Sequence, residues 1–305
     1  MTFRIVTLIA SATEIVHALG FGSSMVGRSH ECDYPPEILH LPVCTSPKFS
    51  PDGSSYEIDQ RVKAILQEAV SVYKVDAQLL EELKPTHLIT QAQCEVCAVS
   101  LKDVQAAACD LISTSPQIVS LQPDSLADIW QDIHRVGLSL DADADAQILI
   151  QKLQSRMAEL HNLVEGHSHP SVACIEWIEP LMAAGNWMPE LIEIAGGINL
   201  FGQAGKHSPW MTWAELVDAD PDYILVSPCG FDIKRTMEEM HLLQKLPGFN
   251  DLTATKENHI YVIDGNQYFN RPGPRVVESA EILVEVFHPG LLPVRHEGTG
   301  WQRVS

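Results

Sequence analysis

The sequence predicts an α/β protein of two lobes, each a parallel sheet covered by helices, with one long α-helix between them and a ligand cleft where the lobes face. Three observations predict it. Apolar runs of strand length alternate with helical patterns along most of the chain, which is the signature of strand–helix–strand units and a parallel sheet. Several strands are announced by a helix end and a proline, as in Leu83-Lys84-Pro85 and Ala219-Asp220-Pro221, where the ring stops the helix and the chain turns back into the sheet. The alternation lapses once, from Asp141 to Gly166, where only a helical pattern is found.

In order, the first strand is read at residues 5–9. Ser11-Ala12-Thr13-Glu14 then opens a helix that runs to Leu19. Strands follow at 24–27, 87–90 and 117–121, with helical patterns at 58–68, 77–83 and 125–140 between and after them. In the middle segment Ile150, Leu153, Met157, Leu160 and Val164 fall on one helical face, and Ala146 extends it backward. Asp141, Asp143 and Asp145 sit at the start, where acids favour the helix dipole, and Gly166 and Pro170 close it. A helix of about 25 residues is ~37 Å long, too long to cross over one sheet. Strands resume at 172–177, 223–227 and 260–263. The expected organisation is a first lobe at 1–140, a bridging helix at 141–166, a second lobe at 167–287 and a Pro/Gly-rich surface tail at 288–305.

Composition excludes several function classes. Of 305 residues, 45% are hydrophobic and 20% charged, so the chain is globular and not disordered. Forty acids against twenty bases give a net charge of −20, which repels nucleic acid and anionic lipid. No stretch approaches the ~18 apolar residues of a membrane span. Residues 5–9 are too short for the apolar core of a secretory signal, and the seven cysteines are an odd count. The expected compartment is therefore the cytoplasm.

Ligands of open parallel sheets bind off the carboxyl ends of the strands. The loops there carry His30, Glu31 and Cys32 after the second strand, and Gln91, Cys94 and Cys97 after the third. In the second half they carry Trp187, Trp210, Cys229, Phe231 and the run Tyr268-Phe269-Asn270-Arg271. Trp187, Trp210 and Tyr268 lie among Gly, Pro and Asn, which points to ligand contact and away from the core. Trp177 fits core and cleft wall equally. Arg271 either holds an anion or pairs with an acid. Cys94-x-x-Cys97 precedes a helical pattern at 100–104, where thiols gain thiolate character, yet it has no second CxxC to make a zinc ribbon. With His30, Cys32 and Cys229 it forms a candidate soft-metal set; the alternative is buried structural thiols, as expected for Cys44, Cys109 and Cys174. There is no P-loop, no GxGxxG after the first strand and no GxSxG elbow, so no enzymatic activity is expected.

The opening Arg4-Ile5-Val6-Thr7-Leu8-Ile9-Ala10-Ser11-Ala12-Thr13-Glu14-Ile15 with Ala18-Leu19-Gly20, and then Asp33-Tyr34-Pro35, Leu83-Lys84-Pro85, Ala195-Gly196-Gly197-Ile198-Asn199-Leu200 and Asp220-Pro221-Asp222, resemble the helical-backbone (class III) substrate-binding proteins of ABC importers. Within that class the chain is most similar to the cobalamin (vitamin B12)-binding branch. The resemblance implies two Rossmann-like lobes bridged by a rigid helix and a ligand held in the cleft. It places Trp210, Phe269 and Arg271 at pocket positions, and Glu31 and Gln91 where that branch has aromatics. It also implies a Glu on each lobe for permease docking, whereas Gln78 and Ala214 stand there, with Glu215 one residue off; docking is therefore in doubt.

Three functions follow as expectations. The first is a non-catalytic binding protein for a cobalamin-like corrinoid or related metal-tetrapyrrole, using Glu31, Gln91, Trp187, Trp210, Phe231, Tyr268, Phe269, Asn270 and Arg271. The second is a cytosolic carrier of zinc, iron or cobalt using His30, Cys32, Cys94, Cys97 and Cys229. The third is a thiol oxidoreductase built on the CxxC pair.

Overall fold

The computed structural model describes residues 2–67, 72–92, 104 and 114–304. The chain divides into two compact units: residues 1–53, 57–123 and 127–152 form the first, and residues 54–56, 124–126 and 153–305 the second. The sheets are parallel at their centres and flanked by helices, as the alternation predicts.

In the first unit β1 (Ile5–Thr7), β2 (Met25–Arg28), β5 (His87–Gln91) and β6 (Gln117–Leu121) make one parallel sheet in the order β2-β1-β5-β6. Ile5, Val6, Leu88 and Ile89 are fully buried, because a parallel sheet covered on both faces leaves neither side of a strand to water. β1 stops at Thr7, two residues earlier than the apolar run implies. Ile9 is an extended N-cap, and α1 (Ala10–Ala18) has already begun at Ala10. Its face of Ala12, Ile15, Val16 and Leu19 packs inward at helical spacing. At Gly27 on β2 a Cβ would stand 2.7 Å from Cys44 Sγ and 2.9 Å from Leu83 Cδ1, so only glycine lets these groups approach.

Between β2 and β5 lie α2 (Ser55–Gln67), α3 (Ala77–Leu83) and an antiparallel ribbon of β3 (Thr45–Pro47) with β4 (Tyr73–Val75). The side chain of Asp76 caps α3 by accepting from Leu79 N at 3.0 Å. Lys84, left-handed at φ 46°, ends that helix before Pro85. The ribbon sets Thr45 and Tyr73 beside the loop that leaves β2, which decides the chemistry of that loop.

After β6, α4 (Leu126–Ser139) leads into α5 (Asp143–Val164), the long helix predicted from the strand-free segment. Its 22 residues span ~33 Å. Residues 143–152 count with the first unit and 153–164 with the second. Leu153, Met157, Leu160 and Val164 are buried on the predicted face. At Gly137 on α4 a Cβ would come within 2.4 Å of the Ala146 Cβ, so the two helices pack at glycine-only distance there.

The second unit is a sheet in the order β12-β11-β10-β7-β8, formed by β7 (Ser171–Trp177), β8 (Met182–Ala183), β10 (Tyr223–Val226), β11 (Ile260–Ile263) and β12 (Trp301–Arg303), with β9 (Ile198–Asn199) also paired to β7. β7, β10 and β11 run parallel. The helices are α6 (Met188–Ile194), α7 (Trp213–Ala219), α8 (Ile233–Gln244), α9 (Thr253–Lys256) and α10 (Val276–Phe287). One core lies between Ala173, Ile175, Ile224, Val226, Ile260 and Val262 of the strands and Ile233, Met240, Leu243 and Phe249.

The segment at 288–305, expected at the surface, is largely exposed and also contributes a strand. β12 adds antiparallel to β11, and His288, Trp301 and Val304 are buried. The Glu285 carboxylate in α10 holds the segment: it accepts from Arg295 N at 3.0 Å, His296 N at 3.2 Å and Trp301 Nε1 at 2.8 Å. A three-residue strand among Gly and Pro carries no readable period; tertiary partners fix it. Glu285→Ala leaves three donors unmet and should lower the unfolding free energy by about 2–4 kcal/mol. Urea unfolding checks this, with an unchanged midpoint as the contrary result.

Candidate functional site

The carboxyl ends of β1, β2 and β5 gather a polar cluster in the first unit. Thr7 and Thr13 share a 2.6 Å hydroxyl contact, and Thr13 Oγ1 donates to Cys32 Sγ at 2.9 Å. Cys32 is wholly buried by these neighbours. Next to it, Thr45 Oγ1 donates to Ser29 Oγ at 2.9 Å. Toward His30 the same oxygen accepts from the backbone N–H at 3.1 Å and stands 2.7 Å from Nδ1, which Ser29 Oγ approaches more distantly at 3.4 Å. The ring lies 5.2 Å from that of Tyr73, whose hydroxyl donates to Glu31 Oε1 at 3.1 Å. Burial lowers the His30 pKa, so the neutral imidazole is favoured. Gln91, at the end of β5, is buried.

In the second unit the ends of β7, β10 and β11 form the corresponding face. Glu176 Oε2 accepts from Ser208 Oγ at 2.8 Å, and Ser208 Oγ accepts from Gly185 N at 3.1 Å. A cavity of about 10 Å³, room for one water, lies among Glu176, Asn186, Trp187, Ser227, Phe269 and Asn270. Trp177 is half-buried, donates Nε1–H to Glu179 O and tilts against Phe231 at 5.4 Å. The Arg235 guanidinium covers Phe231 at 4.5 Å and pairs with Glu238 and Glu239. Asp264 accepts from Asn266 N and Gln267 N; burial, the larger influence, still pushes its carboxyl above the ordinary range.

The structure sorts the ligand residues expected from sequence. Trp210 is 58% exposed, and the Glu31 side chain 38%. Tyr268 and Asn270 are half-buried; Tyr268 lies under Arg275 and beside His296, and Asn270 Nδ2 ties Ser227 O to Gly265 O. The other four expected ligand residues are engaged by neighbours within the second unit. Trp187 is 6% exposed because its indole N–H reaches inward to Phe269 O at 3.1 Å. Phe269 is a core side chain at 3% exposure, Phe231 is covered by Arg235, and Arg271 is buried with Nη2 donating to Asn266 Oδ1 at 3.3 Å. Sequence reasoning passed over Glu176 and Tyr34; Tyr34 is 39% exposed and is flagged only by its place in the Asp-Tyr-Pro loop after Cys32.

The soft-metal set is not assembled among the described residues: no group of three or more His, Cys, Asp or Glu side chains there is placed to hold a metal ion. Cys32 is sealed, Cys229 is half-buried in the second unit, and Cys94 and Cys97 lie outside the described residues. Cys44 and Cys174 are buried thiols; burial pushes Cys44 up to about 12. At the first position expected to face a permease, Gln78 donates to Glu82. Glu215 closes a capping box, its Oε2 accepting from Thr212 N and Oγ1 at 2.7 Å each.

A family model described as periplasmic binding protein matches residues 5–267. An uncharacterised ABC transporter substrate-binding lipoprotein, YvrC, of Bacillus subtilis (strain 168) is 22% identical over 296 residues, covering 94% of this chain and 80% of the relative. The vitamin B12-binding protein of Vibrio vulnificus (strain CMCP6) is 24% identical over 296 residues, covering 93% and 89%. Among solved structures, the periplasmic heme-binding protein RhuT from Roseiflexus sp. RS-1 in apo form superposes with a TM-score of 0.69 at 22% identity, covering 96% of this chain and 100% of that one.

The His30 environment has a direct check. Because burial lowers its pKa, this group contributes stability that is present above the ordinary 6.5 and is lost as pH falls through the folded value. An NMR titration should place its midpoint below 6.5; a midpoint above that value contradicts the geometry.

Proposed function

Because the chain belongs to the periplasmic binding protein family, we propose that it is a non-catalytic binding protein whose ligand is a cobalamin-like corrinoid. The observation that carries the reading is the charge at the strand ends. Among the described residues Glu31 and Glu176 stand there, while Arg28, Arg235, Arg271 and Arg275 are engaged within the protein. Arg28 donates to the carbonyls of Ser29, Cys32 and Leu39; Arg235 serves Glu238 and Glu239; Arg271 serves Asn266; Arg275 lies over Tyr268. Lys206 is exposed on its loop.

A haem presents propionate carboxylates, which need cations and are repelled by acids. A corrinoid presents neutral amides, which both donate and accept, and suit carboxylates, amides and hydroxyls alike. The exposed Trp210 offers an apolar face to a macrocycle. The B12-binding relative supports the same ligand class, and the haem-binding structural neighbour makes haem the comparison to test.

Tryptophan fluorescence titrations with hydroxocobalamin and with hemin test the reading. The corrinoid should bind at least about tenfold tighter, and Trp210→Ala should cost about 1 kcal/mol or more of corrinoid binding. Tighter binding of hemin is the contrary result. Docking to an importer should be weak, since neither usual acid is present and the nearest, Glu215, is committed to its helix cap. The double variant Gln78→Glu/Ala214→Glu should strengthen binding to a B12 permease in a salt-sensitive way. A tight, salt-sensitive complex with the unmodified protein would refute this.

A further inference from the structure

We propose that His30 is an axial ligand to the metal of the bound corrinoid, through Nε2. The inference rests on the corrinoid reading and adds to it a coordination bond from this chain. Its basis is the tautomer imposed by Thr45. The one hydroxyl proton of Thr45 goes to Ser29 Oγ, so the oxygen receives Nδ1–H of His30 at 2.7 Å. The proton of the neutral ring therefore sits on Nδ1, and Nε2 carries the lone pair. A metal-binding imidazole requires that arrangement: one nitrogen anchored by an oxygen acceptor, the other presented as a base.

Three further features agree. Among the described residues Nε2 has no hydrogen-bond partner, and Glu31 Oε1 stands off from it at 3.8 Å. The side chain keeps 25% exposure, on a loop at the carboxyl end of a parallel sheet, where ligands of such sheets are met. The backbone N–H of His30 is bonded to the same Thr45 oxygen, and the ring rests against Tyr73, so both residue and ring are held before any ligand arrives. The described residues do not offer the three protein donors of a free-ion centre. One imidazole suffices when the macrocycle supplies the equatorial nitrogens.

The step balances simply. In aquacobalamin the cobalt(III) carries a water on one face. Water leaves with its electron pair, the Nε2 lone pair forms the new cobalt–nitrogen bond, and no net proton or electron transfer occurs. Cyanocobalamin holds a cyanide at that position and keeps it.

The test is the visible spectrum of each corrinoid with and without the protein at neutral pH. Aquacobalamin bands should shift to those of an imidazole complex on binding, and cyanocobalamin bands should stay in place while the ligand co-elutes in gel filtration. With His30→Ala the aquacobalamin bands should remain at their unbound positions and shift when free imidazole is added. Thr45→Val, which keeps the imidazole and removes its anchor, should reduce the shifted fraction severalfold. Co-elution of cyanocobalamin with no aquacobalamin shift in the unmodified protein overturns the axial ligand and leaves the corrinoid reading standing. A shift that persists in His30→Ala also overturns it. Failure to bind either corrinoid overturns both.

Discussion

Parallel strands bury both faces, and the structure of this chain follows from that constraint. A strand such as Ile5–Thr7 or Tyr223–Val226 has no solvent side on which to place a polar group. Polar side chains are therefore displaced to the strand ends, where the chain leaves the sheet and its hydrogen-bonding groups must find new partners. In the first unit the hydroxyls of Thr7, Thr13, Ser29 and Thr45 meet that demand. In the second, Asp264 accepts the amides of its own loop, and Asn270 spans two carbonyls. The strand-end faces grow from residues that first satisfy the backbone and one another.

That origin underlies the charge selectivity proposed for these faces. Arginines near these ends are already engaged by carbonyls, carboxylates and aromatic faces, while the carboxylates of Glu31, on a loop, and Glu176, near the end of β7, accept from the hydroxyls of Tyr73 and Ser208. In a chain of net charge −20, a dianionic ligand gains little from such a surface. A large neutral or cationic ligand with amide groups meets no such repulsion. The same holds for Glu215, an acid near the expected docking position whose carboxylate is occupied by Thr212.

The sheets and the long helix were legible in the sequence because their signals are periodic: buried strand runs, prolines at the returns, and the face from Ala146 to Val164. β12 was not legible, since Trp301–Arg303 is too short for a period and depends on Glu285. At the strand ends the loops were legible and the orientation of their side chains was not. Trp187 and Phe269 lie in Gly- and Asn-rich stretches that favour exposure, yet the indole N–H finds the Phe269 carbonyl and both are drawn inward. Arg271 is drawn inward as well. Trp210, on a loop bridged to Met182, remains exposed. The role proposed for His30 turns on one hydroxyl proton of Thr45, distant enough in sequence that no local spacing reveals it.

The central claim is that the strand-end faces select neutral amides over carboxylates on a macrocycle. The most direct measurement compares cobinamide with cobyrinic acid by equilibrium dialysis at low salt. The two share ring and metal and differ in bearing peripheral amides or carboxylates. The acid should bind at least about thirtyfold more weakly, corresponding to ~2 kcal/mol of like-charge repulsion and lost donors, with the gap narrowing as salt rises. Equal affinity, or tighter binding of the acid, would contradict it.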